Sequence, residues 1–151
     1  MRRRFRRHPP LWFWLALAAA AALVGRNWMH RAGEDPGPPP DEAVVASVID
    51  GRTLEVVARK ADPPARLRLL GIEIVDGAHA EQWLATNLLQ QSVRVERDKR
   101  RRAHDSAWLA YVFLGDTLVN AELIRHGWAR HDPYPGDSES YARQLRAASV
   151  K

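Results

Sequence analysis

The residues from Ala43 to Asp76, AVVASVIDGRTLEVVARKADPPARLRLLGIEIVD, constrain the fold most, because apolar and polar side chains alternate along them as they do on strands. Val44, Val45, Val48 and Ile49 supply β-branched residues ahead of Asp50-Gly51, a dipeptide that marks a turn or bulge. Leu54, Val56 and Val57 resume the pattern, and Ala61-Asp62-Pro63-Pro64 breaks it. Leu67, Leu69, Leu70, Ile72 and Ile74 then form a third run that ends in acid. Asp50, Glu73 and Asp76 are placed to converge where strand ends meet, with Arg68 on the strand leading there. Carboxylates beside an arginine suit a divalent cation and a phosphate.

The period changes after Asp76. Ala80, Trp83, Leu84, Leu88 and Leu89 recur at helical spacing, and Val93 and Val95 alternate with Arg94 and Glu96 as on a half-exposed strand. Asp98 to Asp105 reads as a charged loop, and Trp108 to Leu114 is strongly β-prone. A turn at Gly115-Asp116-Thr117 leads to a short helix, Ala121 to Gly127, with the glycine as its stop. After a proline loop, Asp137 or Ser138 caps a last helix over Glu139 to Val150, with Tyr141, Leu145 and Ala148 inward. These elements predict an α+β, mainly β fold: a five-stranded OB-type Greek-key barrel with three helices.

Charge is distributed unevenly. The formal +5 of the 151 residues comes from seven arginines and no acid in residues 1–31, so residues 32–151 carry about −2. The body of the chain therefore lacks the basic character that bulk attraction to nucleic acid requires. With no cysteine, neither a disulfide nor a thiolate metal site is available. Residues 1–10 are basic, and Leu11 to Gly25 is an unbroken apolar run, with Trp28 and Arg26 just beyond. Basic residues ahead of an apolar segment hold the amino terminus in the cytoplasm and send the downstream chain across the membrane. Residues 11–28 are read either as a retained single-pass anchor in the cytoplasmic membrane or as a signal peptide that is cleaved for secretion. Residues 29–42 contain the proline-rich GEDPGPPPD, a semi-rigid spacer, and 43–151 is the extracytoplasmic domain.

Four segments in order make a specific signature: VIDGRTLEV at Val48–Val56, RLLGIEIVD at Arg68–Asp76, LAYV at Leu109–Val112 and LVNAELIRHGWAR at Leu118–Arg130. Together they resemble the staphylococcal nuclease (thermonuclease) family over about Val44 to Ala148. The resemblance implies an OB barrel that binds calcium and hydrolyses DNA or RNA through an attacking water, two arginines and a glutamate. By position it assigns Asp50, Thr53 and Glu73 to the metal, and Arg68 and Asp76 to catalysis. It also implies departures. Arg52 stands where the family has a ligand aspartate, Ala107 where it has the second arginine, Glu73 is one methylene longer and Asp76 one shorter than the family residue.

An acid-to-arginine exchange changes the local charge by two units, each worth about 4 kcal/mol at about 4 Å and an effective dielectric near 20. The expectation is that Arg52 fills the vacated cation position, paired with Asp50, Glu73 or Asp76, and that calcium catalysis is impaired or absent. Arg52 pointing outward, His104 or Asp105 lending a ligand, or Arg100, Arg101 or Arg102 replacing the lost arginine, would rescue it. Three functions are compatible with these residues: a polyanion or nucleic-acid binding module using Arg52, Arg68 and Arg100–Arg102, an active calcium phosphodiesterase, or an envelope protein-interaction domain. Trp83, Trp108 and Trp128 are read as core fillers rather than base-stacking platforms. The histidines, with no metal-ligand spacing, are read as surface residues.

Overall fold

The alternating run after Asp41 folds as a hairpin. β1 (Glu42–Asp50) and β2 (Thr53–Val57) pair antiparallel with Asp50 opposite Thr53, so the tip is Gly51-Arg52. A Cβ on Gly51 would lie 3.0 Å from both the Gly77 carbonyl oxygen and the Ala80 Cβ. Glycine is needed there for close approach to the helix after β4, not for a left-handed backbone.

The structure is a computed structural model that describes residues 37–59, 62–133 and 138–149; the side chains of residues 99–102 are outside that description. The basic terminus, the apolar segment and the linker up to residue 36 lie outside the described residues as well. Among the described residues no helix is long and apolar enough to cross a membrane.

β3 (Ala65–Leu69) pairs antiparallel with β2, and parallel with β6 (Trp108–Leu114). β5 (Ser92–Arg102) bridges β1 and β6 in antiparallel register. The ring β1-β2-β3-β6-β5 therefore closes, as the five-stranded OB-type reading predicts. Closure removes sheet edges, and alternate residues of the strands, among them Val45, Leu54, Val56, Leu67, Val93, Val95 and Val112, are fully buried. Each such side chain is worth roughly 1.5–3 kcal/mol relative to an exposed one.

Three strands lie outside the expected set. The third apolar run breaks at Gly71, whose φ is +73°, and β4 (Ile72–Ile74) leaves the barrel to pair with β8 (Ala129–His131). β7 (Thr117–Leu118) adds a short partner to β6. Of the charged loop expected at Asp98–Asp105, the part up to Arg102 is instead the end of β5, with a wide irregularity in register between Arg97 and Arg102. Four residues there, 98–101, stand against Leu109 alone, which on its other side pairs with Arg68.

α1 (Gly77–Leu88) buries Ala80, Leu84 and Leu88 against the barrel, whereas Leu89, expected on the same face, lies past the helix end and is exposed. α2 (Val119–Arg125) begins two residues earlier than expected and stops in a Schellman motif. There Gly127 (φ +78°) donates to the Ile124 carbonyl and Trp128 to that of Leu123. α3 (Glu139–Ala148) buries Leu145 and Ala148, and its Tyr141 ring packs on Tyr111 and Phe113. Ser138 stands at the start of α3, but its side chain makes no capping bond.

The last linker residues rest on the barrel. Trp108 Nε1 donates to the Gly37 carbonyl at 3.0 Å, and Arg97 Nη1 to the carbonyl of the buried Pro39 at 2.8 Å. The Asp41 carbonyl accepts from the Val95 amide, and its carboxylate faces Arg97 at 3.3 Å. Contacts with the barrel thus begin ahead of Ala43.

Candidate functional site

The hairpin tip, the β3–β4 corner and the start of α1 meet because Gly51 lets the tip touch Gly77 and Ala80. The Leu69 amide donates to the Arg52 carbonyl, tying the tip to the end of β3. Asp50, Arg52, Thr53, Arg68, Glu73 and Asp76 therefore sit on elements gathered at one end of the barrel. The side chains of Asp50, Arg68, Glu73 and Asp76, however, are committed elsewhere.

Asp50 turns Oδ1 onto the Arg52 amide at 2.8 Å, an Asx turn that closes the hairpin. Arg52 meets Asp50 through this backbone N–H, and among the described residues its guanidinium forms no ion pair. The expectation that it pairs with a site carboxylate is corrected here. The cation held by Glu73 is Arg130, whose Nε and Nη2 donate to Oε2 at 2.8 and 2.6 Å. Glu73 and Arg130 are direct partners across β4 and β8. Ala129-Arg130-His131 was legible only as alternation past the glycine stop, so the strand and its arginine escape a reading by propensity.

Arg68 Nη2 meets Asp105 Oδ2 at 2.5 Å. Asp105 comes from the tight turn 103–107, in which Ser106 takes φ +64° and the Ala107 amide faces Asp105 Oδ1 at 3.4 Å. Ala107, in the family's second-arginine position, is fully buried. Thr53 is buried with its Oγ1 unpartnered, and so is Arg68 Nε; the two residues are register partners on β2 and β3.

Asp76 caps α1. Its Oδ1 accepts from the His79 amide at 3.2 Å, and Oδ2 stands 2.7 Å from His79 Nδ1. The His79 backbone N–H first, and then its ring, hold the Asp76 carboxyl below the usual carboxylate range. His79 lies nearly parallel to Trp128 (13°), and Trp128 stacks on His126 with ring centres 4.4 Å apart. Trp83 and Trp128 are half-buried in this ring cluster, which bridges α1 and the end of α2.

The basic run of β5 is partly spent on structure. Arg94 is paired with Glu96 and lies over the Phe113 ring, and Arg97 clasps the linker. Lys99–Arg102 continue the strand, and their side chains are not described.

The family described as "Staphylococcal nuclease homologue" matches residues 66–151. The chain belongs to the staphylococcal nuclease family. It is 32% identical over 103 residues to the thermonuclease of Staphylococcus intermedius, covering 61% of this chain and 60% of that protein. It is 31% identical over 97 residues to the thermonuclease of Staphylococcus hyicus, covering 57% of this chain and 56% of that one. The chain thus spans somewhat under two thirds of the length of these relatives.

Calcium, which the resemblance to this family implies, takes six to eight oxygens and favours a high ligand charge. Among the described residues no three acidic or histidine side chains come together. Asp50 serves the hairpin, Glu73 serves Arg130 and the Thr53 hydroxyl is buried. As arranged, these residues do not fit a calcium site of the family type.

Proposed function

We propose that this member of the staphylococcal nuclease family is a membrane-tethered, extracytoplasmic domain that holds nucleic acid or another phosphate-bearing polyanion without hydrolysing it through calcium. The observation that supports this reading is the Arg68–Asp105 pair, which matches the expected phosphate-binding guanidinium with a carboxylate of its own chain. A side chain already paired offers a phosphate less charge, and a longer range of cations must supply the attraction. Arg52 is half-buried at the hairpin tip and has no ion pair among the described residues. Lys99–Arg102 lie on β5 where its register departs from β6, one strand away from Arg68. The net charge near −2 beyond the first segment limits the attraction to this local patch.

Binding of a labelled duplex, followed by fluorescence anisotropy across salt concentrations, tests the reading. Affinity should fall steeply with salt, and Asp105→Ala should release Arg68 for one further phosphate contact. That contact steepens the log–log slope by about 0.9 and, at 0.1 M salt, tightens binding roughly eightfold. A flat salt profile, or an Asp105→Ala variant that binds like the parent, contradicts it.

A further inference from the structure

The pair formed by Asp76 and His79 has a geometry that helix capping alone does not require. Capping is complete once Oδ1 accepts the His79 amide; the second oxygen, Oδ2, is held 2.7 Å from the ring Nδ1. The Val75 and Asp76 amides both donate to the Trp128 carbonyl, at 2.8 and 3.0 Å, so the carboxylate is fixed from the backbone. With Nδ1–H donated to an ionised carboxylate, Nε2 carries the lone pair. The His79 side chain is 64% exposed.

The surroundings complete a set of groups suited to phosphoryl chemistry. The first turn of α1 touches Gly51, which puts Arg52, without an ion pair among the described residues, at the same corner. Thr53 Oγ1 and Arg68 Nε, on adjoining strands, are buried polar atoms with no partner. A metal ion is dispensable when the nucleophile belongs to the substrate and needs only a base.

We propose that His79, positioned by Asp76, is the general base of a metal-independent cleavage of RNA; the proposal rests on the nucleic-acid reading above. Nε2 takes the proton of a ribose 2′-hydroxyl. The freed O2′ electron pair forms the O2′–P bond as the P–O5′ bond breaks, and Arg52 faces the charge gathered on the phosphoryl oxygens. The departing 5′-oxygen takes a proton from a water molecule, and the resulting hydroxide removes the proton from the imidazolium. The products are a 2′,3′-cyclic phosphate and a 5′-hydroxyl. DNA, which has no 2′-hydroxyl, is bound and left intact. Asp76 is a positioning residue in this scheme, since both its oxygens are engaged with His79.

The test incubates the full 151-residue chain with an end-labelled single-stranded RNA, and with the DNA of the same sequence, in excess EDTA. The expected result is RNA fragments ending in cyclic phosphate and intact DNA. His79→Gln should lower the RNA rate roughly 10²- to 10⁴-fold, the usual worth of a general base, while Asp116→Asn in the exposed turn between β6 and β7 leaves it unchanged. Asp76→Asn keeps a good helix cap, so it should lower kcat with KM and melting temperature little changed, a split that a purely structural role would not produce. RNA that is bound but not cut overturns the proposal and leaves the binding reading standing. RNA left unbound while the DNA is bound overturns the proposal alone, and failure to bind either overturns the nucleic-acid reading with it. Cutting that survives His79→Gln, or that yields no cyclic phosphate, also overturns it.

Discussion

Asn120→Ala will lower the unfolding free energy of the domain by about 3 kcal/mol, read in urea as a lower midpoint with an unchanged m-value. Asn120 is fully buried near the start of α2, and its side chain joins three segments. Oδ1 accepts from the Val112 amide at 3.1 Å; Nδ2 donates to the Leu70 carbonyl at 2.8 Å and, more weakly, to Ala110 at 3.4 Å. Alanine would strand a buried N–H on β6 and a buried carbonyl at the end of β3, at about 1–3 kcal/mol for each group. Asn120→Asp should be worse than a simple loss of one donor, because it turns a negative oxygen towards the Leu70 and Ala110 carbonyls. A variant with the parent midpoint would show that water replaces the amide at no cost.

Gly71→Ala carries a comparable loss of about 3 kcal/mol, for two separable reasons. At φ +73° an L-residue costs roughly 1–2 kcal/mol more than glycine. A Cβ at this site would also stand 2.6 Å from Leu145 Cδ1, and Leu145 is fully buried on α3. Either the leucine leaves its rotamer or α3 lifts from the corner between β3 and β4. The two causes part in a double-mutant cycle with Leu145→Val. Trimming Leu145 should recover part of the Gly71→Ala loss, while the left-handed backbone term remains. Full additivity would mean that the clash plays no part. The corner matters beyond stability, since it turns the chain so that Glu73 faces β8 rather than the barrel.

Local signals in the chain foretold the barrel and missed the pairing of charges. Alternation over Val44–Val57, Val93–Glu96 and Trp108–Leu114 was enough for the barrel strands, because side-chain period and burial coincide there. The helix ended by Gly127 was legible for the same reason: a local rule governs it. Three features were not local. Ile72–Ile74 looks like the continuation of the third strand, and only its pairing with Ala129–His131 reveals a separate element. Asp98–Arg102 has the composition of a loop, yet it continues β5 as far as Arg102, which pairs with Trp108 of β6. At the site, the motif identified the residues Asp50, Arg52, Thr53, Arg68, Glu73 and Asp76 but not their partners. Arg130 lies 57 residues from Glu73 and Asp105 lies 37 from Arg68, so no spacing rule joins them. Asp76 meets His79 only three residues on, a capping pattern present in the sequence and hidden by the stronger reading of Asp76 as a family acid.

On the function proposed above, these pairings set the chain's barrel apart from a calcium-binding one. The ion pairs are partly exposed, and each contributes little to stability on its own. Their consequence is chemical: a carboxylate matched to an arginine is a poorer calcium ligand, and an arginine matched to an aspartate is a poorer phosphate clamp. Restoring one family residue would therefore not restore the site. Arg52→Asp adds a carboxylate but leaves Glu73 with Arg130 and Arg68 with Asp105. An arginine at position 107 would have to be fitted into a fully buried place.

Calorimetric titration of calcium into the chain, with and without a thymidine bisphosphate, probes all of these pairings at once. No saturable heat is predicted at millimolar calcium in either case. Saturable calcium binding strengthened by the nucleotide would contradict the pairing of site charges, because that coupling requires the strand-end carboxylates and Arg68 to leave their present partners and assemble around the metal.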